Sequence, residues 1–360
     1  MREKTPALFR YLFLFMTIVF ASCIGRDRTV IAVMTKLEAG SIVGTSEINM
    51  AKLFIEENAI DDIEIFSIND NWDPEQSKAA LDTISKEGIK ILITSHTSTC
   101  AVPIMDRINR EKILTFVTGA TTDVLTGRDD YIFRNIQDVK TEQESIAEYL
   151  NGMPVSSVLI VRDIDNIGYT DPALKYFRKY IRKTISGAID INVSRINIAK
   201  LKAAMSGRNC DAVYLLIGGY KSNAAGTIAQ VAKSLYPSCK IMFTPWVRSP
   251  QLLESAGGAI RDCILPSHYP PRGQNPALSR QIDVFKKKFG YAPTYISFNV
   301  YGALQILDEA IKAGHRAPDD IRRYILEKKT FRTKFITVSF NKYGDTDIPL
   351  YFVTDIEKEF

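Results

Sequence analysis

The sequence predicts an α/β fold built on doubly wound parallel sheets. Three observations carry this. Short continuous runs of β-branched and apolar residues recur along the chain, among them Ile91–Thr94 and Leu114–Thr118. A strand buried on both faces, as in a parallel sheet, has that character, whereas a half-solvated strand alternates. These runs alternate with helix-patterned segments in the order that gives βαβ crossovers. The alternation then starts afresh near Lys140, and 360 residues are enough for two domains of ordinary size.

In chain order, Met1–Cys23 comes first. Arg2, Lys4 and Arg10 precede the apolar run Tyr11–Phe20, and Ala21, Ser22 and Cys23 follow. A basic start, a short apolar stretch and small residues before a break are a secretory signal peptide, too short to span a membrane. Cys23 after two small residues resembles the bacterial lipobox, with Phe20 in place of its usual Leu. That resemblance implies cleavage after residue 22 and acylation of Cys23, which would anchor an exported protein to a membrane. A plain signal peptide with an incidental Cys is the alternative. The formal net charge of +5 falls to +3 without residues 1–22, which hold three basic residues and one acidic one. No basic block is present, so the sequence offers no argument for nucleic acid.

Arg28–Met34 is the first expected strand, followed by a loop with two glycines, Thr35–Gly44. Ser46–Glu57 is amphipathic, with Ile48, Ala51, Leu53, Phe54 and Ile55 giving a broad apolar face. Ile63–Ile68 is the next strand. Pro74 opens a helix at its favoured first position, with Asp73 as the cap and Gly88 as the stop. Ile91–Thr94, the helix-like Pro103–Arg110 and Leu114–Thr118 then form a strand–helix–strand unit. Each of its strands runs into small polar residues: Ser95, His96, Thr97, Ser98 and Thr99 after the first, Gly119, Ala120, Thr121 and Thr122 after the second. Ligands of open α/β sheets sit beyond the carboxyl ends of strands. Hydroxyls and free N–H groups there suit a small polar or anionic group. Ordinary helix capping by Ser and Thr is the competing explanation.

The second half shows a helix at Lys140–Leu150, a strand at Ser157–Val161 and a helix at Pro172–Ser186. Further strands are expected at Ile189–Val193, Asp211–Ile217, Lys240–Thr244 and Asp262–Leu265, with a helix at Thr227–Leu235. Helices follow at Ser279–Phe289, Ser297–Ala313 and Asp319–Glu327. Phe335–Phe340 and Ile348–Val353 alternate like a pair of strands around the turn Asn341–Asp345.

Four stretches carry a resemblance. NDNWDPEQSKAALDTISKEGIKILITSHTS joins an acidic turn, an Asp-Pro helix start and a GIK entry to the next strand. VTGATTDVLT is a small-residue loop, YIFRNIQD an arginine-bearing segment, and YAPTYISFNVYGALQILDEAI a late helix. In order and spacing, across most of 28–315, these resemble the branched-chain amino-acid-binding family of type I periplasmic binding proteins. The resemblance implies two interleaved doubly wound lobes joined by three chain crossings. Lobe one would be 28–137 plus 268–332, and lobe two 138–267 plus 333–360.

The resemblance also implies a cleft site. First-lobe contacts would be Ser98 and Thr99, with Ala120, Thr121 and Thr122. The second lobe would add aromatic residues, Tyr169 near Ile167 and Tyr220 in IGGYKS. Amino-acid binders of the family place a carboxylate after the proline of the strand at Phe243–Pro245, to pair with the ligand's ammonium. This chain has Trp246 there. Its flat face could supply a cation–π contact or stack on an apolar ligand. Arg248 close by moves the expected balance further from a cation, so branched-chain amino acids are expected to bind poorly.

Enzyme patterns are lacking. His96, His268 and His315 are the three histidines, and none has zinc-ligand spacing. There is no nucleophile elbow or Walker loop, and Gly218–Gly219 lacks a dinucleotide loop's third glycine. No cofactor and no metal is expected. Of five cysteines, Cys23 is the lipid candidate and Cys100 stands at the ligand loop. The family's strand order makes the strands after Cys210 and Cys239 neighbours, about 5 Å apart, so a Cys210–Cys239 disulfide is expected, with buried free thiols as the alternative. The function so implied is an extracytoplasmic, lipid-anchored, monomeric solute-binding protein serving the membrane permease of an ABC-type transporter. A ligand sensor of the same fold acting on a receptor or regulator is the alternative, and a hydrolase with a cryptic site the reading from another class.

Overall fold

The computed structural model describes residues 28–38, 40–94 and 97–360. Cys23, the expected signal peptide and His96 lie outside them. The first sheet is wholly parallel. It comprises β1 (Thr29–Thr35), β2 (Ile63–Asn69), β3 (Ile91–Thr94), β4 (Leu114–Val117) and β5 (Ile132–Arg134) in the order β2-β1-β3-β4-β5. Helices α1 (Ile42–Glu57), α2 (Pro74–Lys86) and α3 (Ser98–Arg110) connect them. Asp73 caps α2 as its sequence requires, its Oδ1 accepting from Glu75 N at 3.0 Å and Gln76 N at 2.9 Å. The strand order reverses between β1 and β3, which opens a crevice at their carboxyl ends.

The second lobe carries α4 (Val139–Gly152), β6 (Ser157–Asp163), α5 (Ile167–Tyr180), β7 (Thr184–Ile191) and α6 (Ile198–Met205). It continues with β8 (Ala212–Leu216), α7 (Ser222–Leu235), β9 (Lys240–Met242), α8 (Pro250–Ala256) and β10 (Cys263–Ser267). The chain then returns to the first lobe with α9 (Pro276–Phe289), α10 (Tyr295–Lys312), α11 (Pro318–Lys328) and the hairpin of β11 (Thr330–Arg332) and β12 (Thr337–Ser339). It ends with β13 (Tyr351–Val353), antiparallel to β10 at the edge of a sheet ordered β13-β10-β9-β8-β6-β7.

Each sheet is covered on both faces, so each lobe is a three-layer sandwich with two cores. On one face of the first sheet Ile31, Ile93 and Phe116 pack with Phe54, Phe298 and Leu304 from α1 and α10. On the other, Leu92 and Val117 pack with Leu81 and Ile104 from α2 and α3. Burying each such side chain contributes about 1.5–3 kcal/mol. α10 is buried on nearly all sides, which its continuous apolar sequence permits.

Four expectations are corrected. The helix expected at 172–186 ends at Tyr180. Ile181 turns extended and Thr184–Ile191, rich in β-branched residues, pairs along β6 instead. Phe335–Phe340 and Ile348–Val353 do not pair with each other: β12 folds onto β11 and β13 onto β10. Phe335, Val338, Phe340 and Ile348 pack in the first-lobe core, whereas Val353 and Ile356 pack in the second. The last crossing therefore falls after Ile348, not at 332. The reason lies in Arg134, which is 1% exposed. Its guanidinium pairs with Asp345, Nε at 3.1 Å from Oδ1, and holds the turn before Ile348 on the first lobe. Finally, Cys210 and Cys239 are free, buried thiols. Ala212 is in register with Lys240, which sets Cys239 level with Asp211 and one residue out of step with Cys210.

Candidate functional site

The crevice at the carboxyl ends of β3 and β4 faces the second lobe across a narrow cavity of about 20 Å³, room for about one water molecule, so a ligand enters only as the lobes part. The lobes touch at its lip. Thr99 Oγ1 donates to Asn166 Oδ1 at 3.1 Å, and the Tyr176 hydroxyl to Asp123 Oδ2 at 2.7 Å. Gly168, in the first turn of α5, lies so close to Thr99 that a Cβ there would stand 2.8 Å from Oγ1.

First-lobe polar groups come from two loops. Thr97 and Ser98 open α3, and Gly119 and Thr121 follow β4. The bonding of α3 begins with Cys100 N donating to Thr97 O at 3.0 Å, so the helix does not use the Ser98 and Thr99 N–H groups. Ser98 Oγ accepts from Thr122 N at 3.3 Å, which leaves its own proton free to donate. Thr121 Oγ1 is buried with no hydrogen-bond partner.

Four aromatic rings line the rest of the cavity, three from the second lobe and one, Trp72, from the first. Trp72 comes from the β2–α2 turn, Tyr169 from α5, Tyr220 from the β8–α7 loop, and Trp246 from a short turn after β9. Trp72 and Tyr220 both sit at positive φ, 54° and 60°. Bulky residues rarely hold that conformation, and strain of this kind clusters at functional sites. The two rings meet across the lobes with centroids 6.1 Å apart. Tyr169 approaches Gly218 so closely that a Cβ there would stand 2.9 Å from the ring. Ile296, at the start of α10, adds an apolar contact.

Behind this wall lies Glu142 of α4, fully buried. Its Oε1 accepts from the Tyr169 hydroxyl at 2.6 Å and from Gln143 Nε2 at 2.9 Å. Burial pushes the carboxyl up to about 7, against the pull of Tyr169, Gln143 and Trp246. His268 packs on Trp246 with ring centroids 5.1 Å apart. Burial, helped by the charge of Arg248, drives its imidazole down to about 3. Burial also pushes the Tyr220 hydroxyl well above its ordinary value, and Glu47 adds to this.

Of the residues expected at the site, Ser98, Thr121, Tyr169, Tyr220 and Trp246 line the cavity. Thr99 and Thr122 face a shallower cleft at the lip, and Thr122 Oγ1 caps the next turn by accepting from Val124 N. Ala120 is wholly buried beside the cavity in the core under β3 and β4. Arg248 does not face the ligand space. It is 1% exposed, pairs with Glu359 and stacks its guanidinium 3.5 Å from the Tyr295 ring centroid. It therefore carries no weight against a cation. Trp72, Asn166, Gly218 and Ile296 were not anticipated. Among the described residues, no group of three or more metal-ligating side chains occurs.

Residues 34–353 match the family described as periplasmic binding protein. The Leu/Ile/Val-binding protein homolog 1 of Brucella abortus (strain 2308) is 25% identical over 315 residues, covering 81% of this chain and 78% of that protein. Among solved structures, LivJ, the branched-chain amino acid transporter substrate binding protein of Streptococcus pneumoniae with isoleucine, superposes with a TM-score of 0.78. It is 18% identical, covering 91% of this chain and 96% of that one. An ABC-transporter solute binding protein of Rhodopseudomonas palustris HaA2 with p-hydroxybenzoic acid gives 0.79 at 17% identity, covering 91% and 92%. The match across both lobes shows that the chain belongs to the periplasmic binding protein family, a family of binding proteins and not of enzymes.

Proposed function

We propose that this chain is an extracytoplasmic solute-binding protein that closes on a small carboxylate with a compact apolar body and delivers it to an ABC-type permease. Hinge closure around ligand is the motion this needs. The carboxylate meets Ser98, Thr121 and the first turn of α3, where hydroxyls and unused N–H groups converge. The body meets the four rings. One observation carries the reading: hydroxyls without acid partners on the first lobe face Tyr169, Tyr220 and Trp246 of the second, and Trp72 of the first lobe closes the arc. The neighbours' isoleucine and p-hydroxybenzoic acid share the carboxylate and little else. Leucine, isoleucine and valine are not the preferred ligands, because Trp246 stands where their family pairs the ammonium with an acid. The sequence adds export by the leader and an anchor at Cys23.

Calorimetric titration tests this. Leucine, isoleucine and valine are compared with aliphatic and aromatic carboxylates that lack a primary ammonium. Saturable binding of the latter, weakened by Ser98→Ala, is expected. Tight leucine binding with no response to any other carboxylate would overturn it.

A further inference from the structure

The shape and charge of the ring wall point to a narrower ligand class, and the inference rests on the carboxylate reading above. The rings form one continuous arc. Trp72 lies 6.1 Å from Tyr220, Tyr220 lies 6.5 Å from Trp246, and Trp246 lies 6.3 Å from Tyr169. Neighbouring planes meet at 37°, 76° and 80°. A flat aromatic body stacks best between parallel plates. Tyr220 with Trp246, and Trp246 with Tyr169, meet edge to face, and such an arc suits a rounded group, which gains a cation–π contact from any ring whose centroid lies within about 6 Å.

Charge points the same way. Among the described residues no Lys, Arg or His lines the cavity. Arg248 is engaged by Glu359, and His268 is held neutral by burial. Buried acids stand behind the rings: Glu142 accepts from the Tyr169 hydroxyl, and Glu47 acts on Tyr220. A ligand that brought only negative charge would meet no compensating base here, and buried charge without compensation is costly. A ligand with its own cation balances its carboxylate and meets ring faces that attract it.

Hydrogen bonding then selects the cation. A primary ammonium brings N–H donors that each need an acceptor. On the ring side the side-chain acceptors are engaged: Asn166 Oδ1 accepts from Thr99, and the Tyr169 hydroxyl is directed at Glu142. A fully alkylated nitrogen brings no donor at all. We propose that the cleft takes a betaine-type zwitterion, with its carboxylate on the Ser98–Thr121 side and its quaternary ammonium inside the arc of Trp72, Tyr169, Tyr220 and Trp246.

The test is calorimetry on the exported chain with two matched series. One holds trimethylammonium carboxylates with one, two or three methylenes between the groups. The other holds the tert-butyl carboxylates of the same lengths, which keep shape and lose charge. At one length the trimethylammonium acid is expected to bind at least tenfold tighter than its tert-butyl partner. Trp72→Leu should erase that preference and Trp72→Phe should keep most of it. Trp246→Leu and Trp246→Phe form an independent pair, with melting curves to confirm folding. A tert-butyl acid that binds as tightly at every length, or leucine that binds more tightly than every trimethylammonium acid, overturns the cation. If tert-butyl acids or benzoate bind, the carboxylate reading stands without it. If no carboxylate of any kind binds, that reading falls as well.

Discussion

The hydroxyl of Tyr169 donates to the carboxyl of Glu142 at 2.6 Å, so a cavity-lining ring is fixed by a buried acid one layer behind it. Tyr214 supports the same cluster through Gln143 at 2.8 Å, and Asp138 adds repulsion. Burial raises the folded-state value of Glu142 from 4.5 to about 7. Between those values the folded chain holds a proton that the unfolded chain has released. Stability therefore falls as pH rises through that window. Over the full window this amounts to roughly 3 kcal/mol. His268, lowered from 6.5 to about 3, contributes the opposite slope below pH 6.5.

Glu142→Gln should remove the first slope and leave the second. The variant is expected to gain stability relative to the parent between pH 5 and pH 8, by up to roughly 3 kcal/mol. Urea unfolding of both proteins at each pH measures it, and the His268 contribution cancels in the difference. A difference that does not change with pH would show that the carboxyl titrates normally.

The two loops of hydroxyls divide by what each oxygen faces. Ser98→Ala and Thr121→Ala should each weaken the tightest carboxylate by about 1–3 kcal/mol, since each leaves a ligand acceptor unpaired. Thr122→Ala should act differently. Its hydroxyl caps the turn at Val124, so the loss should appear as about 0.5–2 kcal/mol of stability with little change in affinity. Equal affinity losses for Thr122 and Thr121 would place both in the ligand contact.

Much of this site was legible and some was not, for reasons visible in particular residues. Strand ends followed by Ser98 and Thr121 mark a crevice in any parallel sheet. Trp72 escaped notice because its ring is aimed by a positive φ in a tight turn, which no periodicity announces. Ile296 belongs to a helix buried nearly all round, so no apolar face singles it out. Glu142 looks like any acid in TEQESIAEYL. It is buried because α4 packs where Tyr169 and Gln143 supply its hydrogen bonds, and those contacts are remote in sequence or depend on the fold. The tail misled because an alternating strand carries no label for its partner. Phe340 and Val353 suit either sheet, and the Arg134–Asp345 pair separates them.

The cysteines give a simple count. Cys100, Cys210, Cys239 and Cys263 are all free and buried, and burial raises each thiol, Cys100 and Cys210 to about 11. High thiol values and low access make them slow nucleophiles. Alkylation of the native protein should therefore be slow at all four. Denatured protein should give the same thiol number with and without reductant, and two fewer without it would show that a disulfide forms after all.

Gly168 offers a test of closure itself. It lies in the first turn of α5 on the second lobe, over the start of α3 on the first. An added Cβ would stand 2.8 Å from Thr99 Oγ1, 3.0 Å from Thr99 N and 3.2 Å from Thr99 Cα. The Oγ1 contact could relax by rotation, but the two backbone contacts could not. All three lie across the cleft, so they arise only when the lobes are together. Within α5 alone, alanine is the better helix former by about 1 kcal/mol. Gly168→Ala should therefore leave the unfolding of the ligand-free protein unchanged or slightly improved. Ligand binding should weaken by about 1–3 kcal/mol, the usual cost of overpacking a close contact. Calorimetry with the tightest carboxylate measures the loss, and small-angle scattering should show a larger radius in the presence of ligand than for the parent. Unchanged affinity with an unchanged liganded radius would mean that the ligand-bound lobes do not close as far as the Thr99–Gly168 contact.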